Sequence, residues 1–292
     1  MIVTILLPLI LAFIMFSLGL GLKGNDFAQV LQFPKAFFTG LTNQLILLPI
    51  VVFALITVFG FGGELAVGMM ILAFSPGGVT TNVLTRMVQG NVPLSISMTA
   101  VTSLLSIITV PIMMSIVVRY FMGADAPAIN ITKLGIQMFL ITGLPVMLGM
   151  ALTKLSPSSV EKIASACSNV SMSLFVLIMF AALAKNWEMV WNNLPTLGPA
   201  LVMLNLLLLG IGLLTSKLVG LNKKDGFTIA IETGIQNGTV GVAVGVLIAA
   251  NVAGSVTLPP TTVPAAVYGI TMYVVSLPIL LWLRRSLKAT ST

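Results

Sequence analysis

The chain has 292 residues, of which 58% are hydrophobic and 7% charged, whereas a soluble domain is about a quarter charged, so water is not its main solvent. The net charge of +7 comes from fourteen basic and seven acidic residues that sort by loop rather than gathering on one face, which excludes a nucleic-acid partner. Histidine is absent and Cys167 is the single cysteine, so an internal disulfide and the commonest catalytic base and metal ligand are excluded, and no enzyme is expected.

The apolar residues fall into blocks of about 20, enough for a helix to cross roughly 30 Å of hydrocarbon, and not into the alternating runs of a barrel. The chain therefore reads as an all-α polytopic membrane protein with nine transmembrane helices. The first, 2–21, lacks the basic start and small-residue cleavage site of a signal peptide and is taken as a true span. Gly19, Gly21 and Gly24 at its end spell G-x-G-x-x-G, but no strand and helix unit follows, so no dinucleotide is expected.

The second span, 36–59, carries Gln44 deep in the apolar run TNQLILLP. The third, 65–87, is interrupted by SPGGVTTN at 75–82, and the fourth is 93–118. The connection 119–131 holds the sequon Asn130-Ile131-Thr132, which has no meaning in a bacterial chain. Spans 132–153 and 163–184 follow, with Cys167 expected as a packed small hydrophobe, and then a loop at 185–195 whose Trp187 and Trp191 suit an external interface belt. Asn205 lies in VMLNLLLL of the seventh span, 196–217; the eighth, 227–250, contains ETGIQN at 232–237; the ninth is 263–283. The seventeen methionines are expected to face lipid or fill gaps.

Eleven basic residues, among them Lys23, Arg86, Lys154, Lys217 and Arg284, fall on one side of this topology and three, Arg119, Lys133 and Lys185, on the other. That asymmetry puts the C-terminus in the cytoplasm and, with an odd number of spans, the N-terminus outside. Spans 36–118 and 196–283 form two triplets, each with an amide-bearing helix followed by a polar, broken one. Three helices per unit make the second copy run inverted, as in transporters built from inverted repeats.

Six of the seven acidic residues lie in loops or at span ends; Glu232 alone lies inside a span. A buried carboxylate there needs a cation, water or hydrogen-bond donors, and no Lys or Arg is near in sequence, so a bound inorganic cation is the partner its surroundings suggest. Thr233, Gln236 and Asn237 follow within two turns, beside Gly234, Gly238 and Gly241. In the other interruption Pro76 removes a helix donor, Gly77 and Gly78 ease unwinding, and Thr80, Thr81 and Asn82 add side-chain oxygens. Hydration of Glu232 at the interface, and a mere packing kink at Pro76, are the plainer readings of each segment alone.

The segments IMFSLGLGLK at 14–23, SPGGVTTNVLT at 75–85, GNVPLSISMT at 90–99 and IETGIQNGTVGVAV at 231–244 resemble the bile acid:sodium symporter family over essentially the whole chain. Bacterial relatives have ten spans in two inverted five-helix repeats, divided into a panel and a core with two crossing broken helices, and by this resemblance the chain lacks their first helix. The panel would be about 1–22 and 132–184, and the core about 36–118 and 196–283, within one membrane domain.

The resemblance implies two Na+ sites behind the crossing. One would use Thr81, Asn82, Ser95, Thr99 and Glu232, the other Gln44, Glu232, Gln236 and the backbone carbonyls of Thr233 and Ile235. The substrate would bind near Val79, Thr80 and Asn237, although several relatives have a hydroxyl residue where Val79 stands. The implied function is sodium-coupled import of an organic anion by alternating access, a small carboxylate such as pantoate or a 2-oxo acid, or a bile-acid-like anion, by a monomer in lipid at a bacterial inner membrane. A proton-coupled or uncoupled carrier of the same fold is the alternative.

Overall fold

The computed structural model describes residues 2–24, 26, 31–123, 129–253 and 258–288. Among them every regular element is helical, and we number the helices α1 Ile2–Leu20, α2 Pro34–Phe59, α3 Gly63–Phe74, α4 Val79–Met87, α5 Val92–Met122 and α6 Ile131–Leu155. They continue as α7 Pro157–Lys185, α8 Trp187–Leu218, α9 Lys223–Gly234, α10 Gly238–Ala253 and α11 Val263–Lys288. Seven helical stretches among the described residues are long and apolar enough to cross a membrane; Pro8–Leu20 and Gly63–Phe74 are shorter apolar helices. The chain is an integral membrane protein.

The outward faces carry large apolar side chains, such as Ile50, Ile108, Leu177 and Leu206, that are exposed in the isolated chain and meet lipid in the membrane. The interior is different. Every residue from Leu65 to Gly78 and from Asp225 to Ile248 is buried, so the two polar interruptions lie at the centre of the molecule.

Two packing groups surround them. Helices α1, α6 and α7 pack on one another, while α8 packs against α9, α11 and α2, and α5 against α3, α4 and α9. Glycines allow the closest approaches: a Cβ on Gly149 of α6 would stand 2.8 Å from Leu20 N of α1, and one on Gly212 of α8 would stand 2.9 Å from Ala230 N of α9. Gly19 serves the same α1 and α6 contact, meeting the Val146 backbone, which is a packing role.

The two breaks have separate causes. Ser75 precedes Pro76 and is driven into extended backbone, φ −71° and ψ 141°, which ends α3; Gly78 is also extended before α4 begins. No proline marks the second break. There Ile235 turns extended, φ −112° and ψ 112°, and α10 restarts under an Asn237 cap whose Oδ1 accepts from Val240 N at 3.1 Å. The breaks are tied directly by Asn237 N donating to Pro76 O at 2.8 Å.

Three local features depart from the expected elements. A π-turn occupies Asn43–Leu47 of α2 and another Phe139–Gly143 of α6, each just ahead of a proline whose missing N–H loosens the helical ladder. The segment 187–195, expected as a loop, is the first part of α8: Asn186 makes the break, and Pro195 and Pro199 sit inside the helix. Trp187 and Trp191 stack there at 5.8 Å, one turn apart and exposed. Asp225 is buried at the start of α9, where Asn91 and Asn222, the caps of α5 and α9, each donate to its carboxylate at 2.7 Å.

Candidate functional site

Glu232, on α9, is 2% exposed, and hydroxyls from α5 surround its carboxylate. Ser95 Oγ donates to Oε1, and Thr99 Oγ1 lies 3.2 Å from Oε1 and 3.1 Å from Oε2. Ser95 and Thr99 stand one turn apart, so both project the same way. Thr81 of α4 joins the group, 3.1 Å from Thr99 Oγ1, with its own hydroxyl donated to Gly78 O at 2.7 Å. A Cβ on Gly77 would come 2.7 Å from Glu232 Oε2, so any larger residue would displace either the broken segment or this hydrogen-bonded carboxylate.

Asn82 adds an unused acceptor: its Oδ1 is buried and has no hydrogen-bond partner among the described residues. A buried amide oxygen without a donor costs about 1–3 kcal/mol unless something electropositive approaches it. The donor set is therefore one carboxylate plus neutral hydroxyl, amide and carbonyl oxygens, with no cluster of three His, Cys, Asp or Glu among the described residues. That chemistry suits a hard monovalent cation. A zinc site would draw on sulfur and nitrogen, and a calcium site on several carboxylates.

The second predicted group is built around a pair of amides. Gln44, on the π-turn of α2, donates from Nε2 to Ser75 O and to Gln236 Oε1, both at 2.8 Å, and Gln236 Nε2 donates to Thr233 O at 2.8 Å. Gln44 and Gln236 thus meet each other and the ends of both broken helices. Glu232 takes its donors from α5. Thr233 Oγ1 bonds back to Ile229 O at 2.7 Å and Ile235 is fully buried.

Thr80 and Asn237 line a cleft that opens between the two helix breaks and helices α1 and α7, with Ser17, Ser171 and Phe175 on the far wall. Val79 begins α4, but its side chain lies outside the described residues. A second cleft runs past Leu18, Asn82 and Arg86 and shares Val83 with the first, so the two are adjacent along α4.

Several participants went unseen in the sequence. Tyr273 of α11 donates to Thr80 Oγ1 at 2.9 Å, and Tyr268 OH and Asn205 Nδ2 both donate to Gly234 O, at 2.7 and 2.8 Å. Asn205 had been noted for its depth in an apolar run; the tyrosines sit in apolar sequence that reads as ordinary span. Asn43 donates to Thr215 and Thr233 hydroxyls at 2.9 and 3.3 Å, and it stands beside the Gln44 that was noted.

Comparison with known proteins bears on what this arrangement does. The chain is 27% identical over 81% of its length to the uncharacterized sodium-dependent transporter YocS of Bacillus subtilis, covering 72% of that protein. It is 26% identical over 79% of its length to the human ileal sodium/bile acid cotransporter, covering 66% of it. To the Arabidopsis thaliana chloroplast protein named "Probable sodium/metabolite cotransporter BASS1" it is 24% identical over 78% of its length, covering 56% of it. The model of the Sodium Bile acid symporter family matches residues 8–193, well over half of the chain. The chain belongs to the sodium bile acid symporter family, whose members are sodium-dependent transporters with sodium as the coupling ion.

Proposed function

We propose that this protein is a secondary active transporter that carries an organic anion inward on the sodium gradient, with two sodium ions and one substrate held at the crossing of the two broken helices. The first ion takes Thr81, Asn82, Ser95, Thr99 and Glu232; the second takes Gln44, Gln236, Glu232 and the carbonyls of Thr233 and Ile235. The substrate, a small carboxylate such as pantoate or a 2-oxo acid, occupies the cleft at Val79, Thr80 and Asn237.

The observation that carries the reading is the way consecutive residues are divided. Thr80 lines the cleft while Thr81 turns to the Thr99 and Glu232 cluster, and Asn237 lines the cleft next to Gln236, which reaches the cleft too and pairs with Gln44. Ions that fix the backbone at 80–82 and 236–237 thereby fix the substrate contacts, and such mutual dependence of two ligands is what coupling requires. The ends of α4 and α10 that face the cleft are helix N-termini, which carry partial positive charge and favour an anion.

The same geometry supports the two-repeat architecture. Gln44 of α2 donates to the carbonyl of Ser75 just after α3, and Asn205 of α8 donates to the carbonyl of Gly234 at the end of α9. One amide in each triplet thus holds the open end of the broken helix that follows it. With α1 and the half-helix pairs counted as spans the total is nine, in a core of α2–α5 and α8–α11 and a panel of α1, α6 and α7, and alternating access is motion of one against the other.

The test is thermal melting of the purified protein in sodium and in potassium. Sodium at about a hundred times its Kd stabilises by about 2.7 kcal/mol per site, a rise of several degrees. We expect that rise in the wild type and its loss in Glu232→Gln. Equal melting in both salts refutes the sodium sites.

A further inference from the structure

Hydroxyls inside these helices regularly satisfy themselves on the preceding turn: Thr142 bonds to Met138 O at 2.6 Å, Thr233 to Ile229 O at 2.7 Å, and Ser173 of α7 to Asn169 O at 3.1 Å. Ser171, two residues from Ser173, does not. It is 8% exposed, and its Oγ is buried with no partner among the described residues. Ser168, Ser171, Met172 and Phe175 follow the i, i+3, i+4, i+7 spacing of one helix face, and all four line the cleft. Phe175 fixes the position of that face, since a Cβ on Gly238 or Gly269 would lie 3.4 or 3.3 Å from its ring.

Among the described residues no charged side chain lines this cleft. An anion there meets dipoles: the N-terminal ends of α4 and α10, and Asn237, whose Oδ1 is engaged by Val240 N so that Nδ2 is the atom it can offer. These donors are on the crossing side. Ser171 stands on the α7 wall, apart from both ion groups, with a hydroxyl able to donate and to accept.

We infer that Ser171 is a substrate-binding residue of the α7 wall that selects carboxylates carrying a second polar group, a hydroxyl or an oxo oxygen. This rests on the cleft being the substrate site. It adds a specificity contact from the wall that carries none of the ion ligands, so a ligand lacking the second group leaves the Ser171 hydroxyl unsatisfied.

The experiment is sodium-driven uptake into proteoliposomes of pyruvate, lactate and propionate, and of pantoate beside its dideoxy analogue, by the wild type, Ser171→Ala and Ser171→Thr. Loss of one buried hydrogen bond predicts a rise of about 5- to 20-fold in KM for the oxo or hydroxy acid in Ser171→Ala, with a change of less than about twofold for the unsubstituted acid and partial rescue in Ser171→Thr. The sodium-induced rise in melting temperature stays as in the wild type, which certifies folding and intact ion sites. An unchanged KM for the substituted acid, or an equal rise for both acids, overturns the assignment of Ser171 while leaving the transport reading in place. Absence of sodium-driven uptake of every probe by the wild type refutes the carboxylate reading itself, and the Ser171 assignment falls with it.

Discussion

Gly77 and Glu232 show how narrowly single side chains define this site. The Glu232 carboxylate has hydroxyls on its α5 side, and the Gly77 backbone closes on it from the other, at a distance a methyl group cannot share. Gly77→Ala is therefore expected to push the broken segment off the carboxylate and to remove at least half of the sodium-induced rise in melting temperature, read by thermal melting in sodium against potassium. A full rise in the variant contradicts the arrangement. At this scale the sequence was informative where a residue broke a rule of its surroundings: Glu232 was the one acid inside a span, and Pro76 with its two glycines was an evident interruption. Residues that obey the rules gave no sign. Tyr273 looks like any aromatic in a span, and the orphaned oxygens of Asn82 and Ser171 exist only once the helices have packed around them.

At the scale of elements, the open ends of α3 and α9 raise the same problem, a set of helix carbonyls with no intrahelical donor and no water to hydrate them. The chain answers with amides, from Gln44 at Ser75 and from Asn205, with Tyr268, at Gly234. These amides are expected to differ in function. Asn205→Ala, which removes a donor from the Gly234 carbonyl and a partner of Ser276, should lower the melting temperature by roughly 5 °C yet leave the sodium-induced rise intact. Gln44→Ala should lower the melting temperature and diminish the sodium effect as well, because Gln44 also pairs with Gln236. An undiminished sodium effect in Gln44→Ala removes Gln44 from the ion sites. The break at Pro76 was legible because proline cannot continue the ladder; the break at 235–237 is sustained by contacts from Pro76, α8 and α11, which no local pattern encodes. The start of α8 was misjudged for a related reason: hydropathy marks where a helix enters lipid, whereas Trp187 to Pro195 continue the same helix in a more polar setting.

For the whole molecule, composition alone fixed the solvent and the class of fold, because apolar blocks of about 20 residues have only one stable form in a bilayer. What composition could not give was the depth of each element, and here the runs 65–78 and 225–248, which contain the start of the first polar interruption and all of the second, are buried throughout. Helices α1, α6 and α7 pack together, and the cleft lies between α1 and α7 on one side and the two helix breaks on the other, which is compatible with the proposed motion of a panel past a core. The central claim is that an inward sodium gradient drives an organic anion through this cleft. Uptake of labelled pyruvate and pantoate into proteoliposomes tests it most directly: the account predicts accumulation above the external concentration with sodium outside, and neither accumulation when potassium replaces sodium nor any in Glu232→Gln. Equal uptake in potassium, or accumulation driven by a proton gradient without sodium, would contradict it.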